Sequence, residues 1–382
     1  MKSTLGDFCT VIMGQAPSGE TYSLVEGIPL IAGAGDFSKG RIRPKKLTTR
    51  PTKLSQHGDI VLSIRASIGD KVWSDGEYCL GRGVAGLRPK AALDSAFLWH
   101  WLDYAEPALR AKAKGATFLQ VNRSDIADLP ISLPAFAEQQ RIAAILDKAD
   151  ELRAKRRQAI AHLDALTQSI FYSMFGDPSS AWAELTIEDL AAPHKGAIRT
   201  GPFGSQLLTS EFTDDGVAVL GIDNAVTNTF AWAQRRYISE EKYDQLRRYR
   251  VWPGDLLITI MGTLGRCAIV PRDVPKAINT KHLCCITLNQ DLVVPEWLHA
   301  YFLQSEIARS YLRQTTKGAI MGGLNMGIIK KMPVSVPPLE LQQTFATRVA
   351  AVERLKETHR KHLAELDALF ASLQSRAFKG EL

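Results

Sequence analysis

Apolar residues recur at steps of three and four over a long stretch in the middle of the chain. They fall at 142, 145, 149, 152, 159, 163, 166 and 170, around the polar residue Arg156. A second stretch near the end has them at 345, 352, 355, 366, 369 and 373, interrupted by Arg348, His359 and His362. A seam repeated over about four heptads is typical of a coiled coil. The pattern predicts two helices, each roughly 60 Å long if about 40 residues rise about 1.5 Å apiece.

These two seams are expected to bury each other in an antiparallel pair, because two exposed apolar seams of this length would reduce solubility. The alternative is two separate helical hairpin arms that bind other proteins. Asp164 and Asp367, in the repeated "LDAL", are expected to face solvent or a partner. The residues predicted to pack helix on helix are Ile142, Leu152, Leu163, Leu166, Phe345, Leu355, Leu366 and Leu369.

Each long helix follows a region with the pattern of a globular domain. Short apolar runs such as "DIVLSI" and "DLLITI" are bounded by Gly, Pro, Asp and Asn, which indicates strands. A helix-like stretch and a proline-containing segment then lead into the long helix. We predict a first globular domain at 1–133, a long helix at 134–178, a second globular domain at 179–336 and a second long helix at 337–382.

The two halves are copies of each other. Residues 114–175 align with 317–378 without a gap, at a spacing of 203, and 20 of the 62 positions are identical. Upstream, "HGDIVLSIRASIGD" (57–70) matches "PGDLLITIMGTLGR" (253–266), which aligns Arg65 with Met261. The predicted fold is therefore α+β and pseudo-two-fold symmetric, with two similar α/β domains held apart by two long antiparallel coiled-coil helices. Loops that differ between the copies suit two different recognition events.

Composition narrows the class of protein. The 382 residues include 47 Lys+Arg against 40 Asp+Glu, a net charge of +7 that is compatible with a polyanionic partner. The five cysteines are scattered without a C-x-x-C pair, which favours reduced thiols and a cytoplasmic location. The start lacks the apolar segment of a signal peptide, and the longest apolar runs are too short for a bilayer, so no membrane association is expected.

Motifs for catalysis are not found in the sequence. It has no G-x-x-x-x-G-K-[ST] phosphate loop, no glycine-rich cofactor strand of an amino-methyltransferase and no P-D dipeptide of a nuclease. His359 and His362 lie one helical turn apart, but no third metal ligand is near them in sequence. We therefore predict no catalytic residue and no metal site.

Basic residues are concentrated in loop-like stretches that suit contact with phosphates and base edges. The segment at 39–53 has seven Lys/Arg and no acid, although a merely solvated loop explains it equally well. The turn "RTGPFGSQL" (199–207) offers an arginine and a glutamine, whereas asparagine in a turn usually serves the backbone. The predicted DNA contacts are Lys39, Arg41, Arg43, Lys45, Lys46, Arg65, Lys114, Asn122, Arg199, Gln206, Arg235, Arg236, Lys281, Lys317 and Asn325.

Several motifs, most of them present in both halves, together carry a family resemblance. They are the paired strands at 58–69 and 254–265, the turn "GPFGSQL" (201–207), the helix approaches "LPISLPAFAEQQRI" and "MPVSVPPLELQQTF", and the helix ends "SMFG" and "RAFKGEL". The chain resembles, over essentially its whole length, the specificity subunit of type I restriction–modification systems. The opening of the first copy, "MGQAPSGETY", lacks the "GPFGSQL" form, so the resemblance assigns recognition to Arg199 and Gln206 and not to their counterparts in the first copy.

The resemblance implies a function and a set of partners. Each globular part would be a target recognition domain that reads one half of a bipartite double-stranded DNA target. The helices would set the spacer length and dock two methyltransferase (modification) subunits, to which two translocase–nuclease (restriction) subunits can be added. The chain would bind no cofactor, whereas S-adenosylmethionine, ATP and Mg would bind to the partners.

Two other functional classes stay open at the level of the sequence. A DNA methyltransferase with fused specificity would bind S-adenosylmethionine by itself. A stand-alone DNA-binding regulatory protein would bind its site tightly without methyltransferase subunits.

Overall fold

The computed structural model describes residues 3–38, 40–115, 119–176, 182–232, 234–263, 265–316 and 324–382. The chain divides into two compact units, which we call unit 1 (Met1–Gln158 with Arg360–Leu382) and unit 2 (Ala159–His359). Each unit contains one globular domain and one segment of each long helix. The α+β class and the two long helices predicted from the sequence are confirmed.

The globular domain of unit 1 contains two four-stranded sheets. Its elements are α1 (Leu5–Phe8), β1 (Cys9–Met13), β2 (Tyr22–Ser23), β3 (Ile28–Ile31), β4 (Phe37–Ser38), β5 (Arg41–Ile42), β6 (Lys46–Thr48), β7 (Ile60–Ser63), β8 (Lys71–Trp73), β9 (Cys79–Leu80), β10 (Val84–Pro89), α2 (Ser95–Ala111) and α3 (Arg123–Ala127), followed by the long helix α4 (Phe136–Phe175). One sheet has the antiparallel order β1-β10-β7-β8. The other has the order β2-β6-β3-β9, in which β3 and β9 run parallel.

The globular domain of unit 2 repeats this plan. Its elements are β11 (Ala183–Thr186), β12 (Ile198–Thr200), β13 (Val217–Leu220), β14 (Tyr237–Ile238), α5 (Glu240–Leu246), β15 (Arg250–Val251), β16 (Leu256–Thr259), β17 (Cys267–Ile269), β18 (Ala277–Asn279), β19 (Leu283–Ile286), α6 (Pro295–Gln304), α7 (Glu306–Thr316), α8 (Met326–Lys330) and β20 (Pro333–Val336), followed by α9 (Leu339–Lys379). The sheet β12-β19-β16-β17 matches the first sheet of unit 1, and the sheet β14-β13-β18-β15 again contains a parallel pair, β13 and β18.

The repeated "QQ" places one buried glutamine near the start of each long helix. Gln139 accepts a hydrogen bond from the backbone N–H of Asp94 (2.8 Å) and donates to the carbonyl oxygens of Ala92 (3.0 Å) and Pro134 (2.9 Å). Its amide thereby fixes the start of α2 to the start of α4, which explains why the dipeptide recurs. Gln342 makes the same three bonds in unit 2, to Val294, Leu292 and Pro337.

The segments of α4 and α9 run antiparallel within each unit. In unit 1, Arg153 lies over the ring of Phe370 (4.3 Å), and Arg157, one turn later, pairs with Asp367, about one turn earlier (3.2 Å). In unit 2, Asp164 pairs with Lys356 (2.6 Å), and further along α4 the rings of Phe171 and Phe175 pack against that of Phe345, at 5.9 and 5.4 Å. In both units, later residues of α4 contact earlier residues of α9, so the two helical segments are antiparallel.

The seam between the helices differs from the predicted one in half of its positions. Buried and half-buried side chains lie at 142, 146, 149, 153, 156, 160, 163, 167 and 170 in α4, and at 345, 349, 352, 356, 359, 363, 366, 370, 373 and 377 in α9. Ile142, Leu163, Phe345 and Leu366 lie on this seam. The expectation for the other four is corrected, because their side chains are exposed by 41 to 52%: Leu152, Leu166, Leu355 and Leu369.

Two long basic side chains explain the shift of the seam. Arg153 and Lys356 occupy positions that a purely apolar pattern excludes, with side chains only 18% and 8% exposed. Their aliphatic stems cover apolar surface while their charged ends reach carboxylates. The leucines one residue earlier therefore turn outward.

Candidate nucleic-acid interface

The carboxyl ends of two parallel strands meet at one edge of the second sheet in unit 1. The turn after β9 packs on the turn after β3, because Gly81 donates to the carbonyl oxygen of Ile31 (2.8 Å) and Gly83 to that of Ala32 (3.1 Å). A Cβ on Gly83 would lie 2.2 Å from the oxygen of Ala32, so only glycine permits this approach. Ligands of open sheets characteristically bind outside the carboxyl ends of parallel strands.

A cleft of about 430 Å³ opens at this edge, and we call it cleft 1. Its walls come from the turn after β3, the turn between β9 and β10, and the loop that follows β7. Arg65 and Arg82 carry its charge, and both are exposed. No carboxylate belongs to its lining, which among the described residues is Ala16, Tyr22, Leu30, Ala32, Gly33, Ala34, Gly35, Arg65, Ala66, Ser67, Gly81, Arg82 and Gly83.

Unit 2 has a cleft at the equivalent edge, which we call cleft 2, of about 380 Å³. Its walls include the turn after β13, the turn between β18 and β19, and the loop after β12. The turn between β18 and β19 is held by Thr280, which donates to the carbonyl oxygen of Leu220 (2.9 Å), the counterpart of the bond from Gly81 to Ile31. Topology therefore places a cleft at the same point of both domains.

The two clefts present different chemistry. Cleft 2 contains Arg236, which forms an ion pair with Asp223, together with Lys281 and His282. Burial, and then the neighbouring Lys281 and Arg236, lower the pKa of His282, so its imidazole is neutral near pH 7. The charged side chains of cleft 1 are thus both cationic, whereas cleft 2 also offers a carboxylate and a neutral imidazole.

The basic loop predicted from the sequence lies beside cleft 1. Arg41, Arg43, Lys45 and Lys46 are all exposed, and the Lys46 amine stands 5.4 Å from the ring centre of Tyr22, a residue of the cleft wall. Lys39 lies outside the described residues. These side chains are available to a polyanion that enters the cleft.

The other predicted contacts are dispersed. Lys114 is exposed and pairs through its backbone with Gln120. Gln206, on the turn after β12, accepts hydrogen bonds from the Tyr249 hydroxyl (2.8 Å) and from Arg248 (3.3 Å). Arg235 is exposed, 5.4 Å from the ring centre of Trp232. Arg65, Arg236 and Lys281 line the clefts, and Lys317 lies outside the described residues.

Asn122 and Asn325 serve the backbone. The Asn122 carboxamide accepts from the N–H of Asp125 and caps α3, and that of Asn325 accepts from the N–H of Ile328 and caps α8. A capping oxygen satisfies a helix N–H that would otherwise lack a partner. Both residues therefore have a structural role, while their contact with a base stays a prediction.

Arg199 points into the domain of unit 2. Its guanidinium is buried and donates to the carboxylate of Asp255 (2.6 Å), the carbonyl of Arg250 and the hydroxyl of Thr287 (2.9 Å). A guanidinium with this set of internal acceptors is not available to a base edge. We therefore correct its expected role from DNA contact to internal ion pair, the counterpart of Arg88 with Asp59 in unit 1.

Arg82 and His282 are cleft residues that the sequence alone did not indicate. The signal was present, since "GRG" at 81–83 aligns with "TKH" at 280–282 once the strands before them are matched. That match depends on the parallel strand pairs, which join residues far apart in sequence and have no local pattern.

The described part of the chain contains neither a candidate membrane segment nor a candidate metal centre. None of its helices is long and apolar enough to cross a membrane. No group of three or more His, Cys, Asp or Glu side chains there could hold a metal ion.

Two copies of a cleft-bearing domain on paired long helices define a class of DNA specificity proteins. The family model of the type I restriction modification DNA specificity domain matches this chain twice, at residues 1–162 and 203–368. The chain belongs to that family, which confirms the resemblance seen in the sequence.

Relatives and a solved structure agree with this assignment. The chain is 31% identical over 162 residues to a putative type I restriction enzyme specificity subunit, MjaX, of Methanocaldococcus jannaschii, covering 42% of this chain and 38% of that protein. It is 22% identical over 407 residues to the EcoBI specificity subunit of Escherichia coli, covering 96% of this chain and 82% of that protein. The fold is shared with the type I S subunit from M. genitalium, at a TM-score of 0.60 and 16% identity over 99% of this chain and 96% of that one.

Proposed function

We propose that this chain is the DNA-reading subunit of a type I restriction–modification complex, and that each cleft reads one half of a bipartite double-stranded target. The observation that carries the proposal is the recurrence of a cleft at the same topological position in both units, with different charged and polar side chains. A shared scaffold with divergent lining is what recognition of two different half-sites requires.

The chain is proposed to be non-catalytic and cytoplasmic. Methyltransferase subunits would supply S-adenosylmethionine chemistry, and added restriction subunits would supply ATP and Mg chemistry. Two methyltransferase subunits for each chain follow from the duplication, because each half of the chain carries its own long helix.

The exposed leucines support a docking role for the long helices. In the heptad frame of the seam, Leu152 and Leu369 take the same flanking position in unit 1, and Leu166 and Leu355 take it in unit 2. An antiparallel pair brings these flanks of the two helices to one side. Each unit therefore presents a pair of exposed leucines that a partner can cover, in a position repeated by the duplication.

Methylation mapping tests the proposal directly. The chain would be produced with the methyltransferase subunits encoded beside it, and modified bases would be mapped on DNA of diverse sequence. We expect one asymmetric two-part motif with an unread spacer. Methylation without the chain, or S-adenosylmethionine binding by the chain alone, would favour a methyltransferase with fused specificity. Tight specific binding without any methyltransferase complex would favour a stand-alone regulator.

A heptad insertion tests the ruler role of the helices. Seven residues would be added to α4 between Gln158 and Ala159 and to α9 between His359 and Arg360, which preserves the seam frame. The added length is ~10 Å, about three base pairs of duplex. The spacer should lengthen while both half-sites stay the same. An insertion in α4 alone is the control, since it misaligns the helices and should abolish the motif. Altered half-sites would contradict the ruler role.

A further inference from the structure

We propose that Arg65 reads a guanine in the half-site of unit 1 and that Gln120 is the residue that positions it. The inference rests on the proposed function of cleft 1 and goes beyond it by naming the base and the device that selects it. Neither the charge of the loop nor its sequence pattern indicates Gln120, which lies 55 residues further along the chain.

The backbone of Arg65 is fixed from several directions. The buried hydroxyl of Ser63 donates to its carbonyl oxygen (3.1 Å), and a β-bridge joins Arg65 to Gln120. The preceding residue, Ile64, donates to Gly83 (3.0 Å) and accepts from Val121 (3.1 Å). The Cα of Arg65 is thereby held in place in the wall of cleft 1.

The residue after Arg65 has a strained backbone. Ala66 adopts a φ of 54°, in the left-handed region that residues with a Cβ seldom occupy. Such conformations persist where the surrounding structure imposes them, and they concentrate at functional sites. Here the conformation turns the chain sharply beside the cleft that Arg65 and Ala66 both line.

Gln120 also fixes the side chain of Arg65. Its Oε1 accepts from the Arg65 Nε at 2.8 Å, which leaves the two terminal amino groups of the guanidinium as a fork. In the part of the chain that the structure describes, no protein acceptor engages those two groups. A fixed planar fork matches the O6 and N7 acceptors of guanine in the major groove, the commonest specific arginine contact. A phosphate contact would not require this degree of orientation.

Unit 2 has a different residue at the position of Arg65, as recognition of two different half-sites requires. Ile260 donates to His282 at 3.0 Å, as Ile64 does to Gly83, so Met261 occupies the position of Arg65. Met261 is 50% exposed and provides no donor. The same place in the scaffold therefore offers a guanine-reading fork in one unit and an apolar side chain in the other.

Three variants and the wild type, each assembled with methyltransferase subunits, test the inference by methylation mapping. Arg65→Met, which copies unit 2, should reduce discrimination for guanine at one position by about 10-fold to 100-fold while the rest of the motif is kept. Gln120→Met, which removes the acceptor at similar volume, should relax the same position less. Gln120→Glu, which keeps an acceptor for Nε, should retain the wild-type motif.

The outcomes separate the inference from the function on which it rests. If the wild type directs no bipartite methylation, the proposed function fails. If the wild type does so but Arg65→Met leaves every specified position unchanged, only the role of Arg65 fails. A uniform loss of affinity over all sequences, with a salt slope reduced by about one, would show a phosphate contact instead. Thermal melting of each variant checks that these exposed substitutions leave the fold intact.

Discussion

The Lys356 amine lies 2.6 Å from the carboxylate of Asp164 in unit 2, and its sequence counterpart Arg153 lies 2.6 Å from Asp367 in unit 1. Asp164 and Asp367 are themselves counterparts, each within an "LDAL". Each repeated aspartate thus receives the seam cation of the other copy. The two aspartate side chains remain 59% and 43% exposed, as expected, and the reciprocal contact explains why the repeat keeps them.

Replacing Lys356 by methionine should change the stability of unit 2 by less than about 1 kcal/mol at pH 7. An apolar side chain of similar volume keeps the packing and removes the cost of burying a charge, but it also loses the favourable hydrogen bonds to Asp164 and Glu353. Lys356→Ala, which also loses the aliphatic packing, should destabilise the unit. Urea unfolding of both variants measures the difference, and a loss of more than about 2 kcal/mol in Lys356→Met would contradict this view of the seam.

Wild type and Lys356→Met should also differ in how their stability depends on alkaline pH. Burial alone would lower the pKa of Lys356, but hydrogen bonds to Asp164 and Glu353 outweigh it and raise the pKa. The folded state then binds this proton more tightly, so its contribution to stability is complete below pH ~10.4 and is lost as pH rises through the raised pKa. Stability measured from pH 8 to 11 should fall more steeply in wild type than in Lys356→Met. Parallel curves would exclude a contribution from this lysine.

Gln342→Leu should lower the free energy of unfolding by about 3 kcal/mol. The substitution leaves the Val294 N–H and the carbonyl oxygens of Leu292 and Pro337 without their partner, and a buried unsatisfied group costs about 1–3 kcal/mol. The neighbouring Gln343 is exposed, so Gln343→Ala is the matched control and should change stability by less than about 0.5 kcal/mol. Urea unfolding monitored by tryptophan fluorescence measures both changes. Equal effects on the free energy of unfolding would contradict the anchoring role of Gln342.

Arg199→Ala and Arg235→Ala should have opposite signatures. Removal of Arg199 strands the buried carboxylate of Asp255, at a cost of about 3–5 kcal/mol in stability. Arg235 is exposed, so its removal should leave stability unchanged and weaken DNA binding of the assembled complex, with a salt slope smaller by about one. Melting temperatures and salt-dependent binding distinguish the two roles. Loss of DNA affinity without loss of stability in Arg199→Ala would restore it as a DNA contact.

The local sequence pattern predicted where helices and strands lie better than it predicted which of their residues pack together. The spacing of three and four residues correctly predicted both long helices. Half of the predicted packing residues lie on the observed seam. The other predicted positions lie one residue before the true seam positions. Arg153 and Lys356 occupy the seam by burying their aliphatic stems, and a pattern based only on polarity does not place charged residues there.

The clefts depended on pairings that sequence does not encode locally. Charge alone selected Arg65, Arg236 and Lys281, and the structure places all three in cleft walls. The turn motif selected Arg199, whose burial follows from the long-range pairing of β12 with β19 and its contact with Asp255. An arginine that satisfies a buried carboxylate and one that faces a ligand are indistinguishable until the sheet is assembled.

Variants at exposed and at buried positions of the helices distinguish partner docking from folding in unit 2. Leu166→Glu with Leu355→Glu alters two exposed side chains, so the free energy of unfolding should change by less than about 1 kcal/mol, while binding of a methyltransferase subunit should weaken at least 10-fold. Phe345→Ala is the contrasting variant, because its buried ring contacts Phe171 and Phe175 and its loss should cost about 3–5 kcal/mol. Urea unfolding of the chain and size-exclusion chromatography of the co-expressed complex give the two readouts. Intact assembly by the double leucine variant would show that the partner binds elsewhere, whereas unfolding of that variant would place the two leucines inside the seam after all.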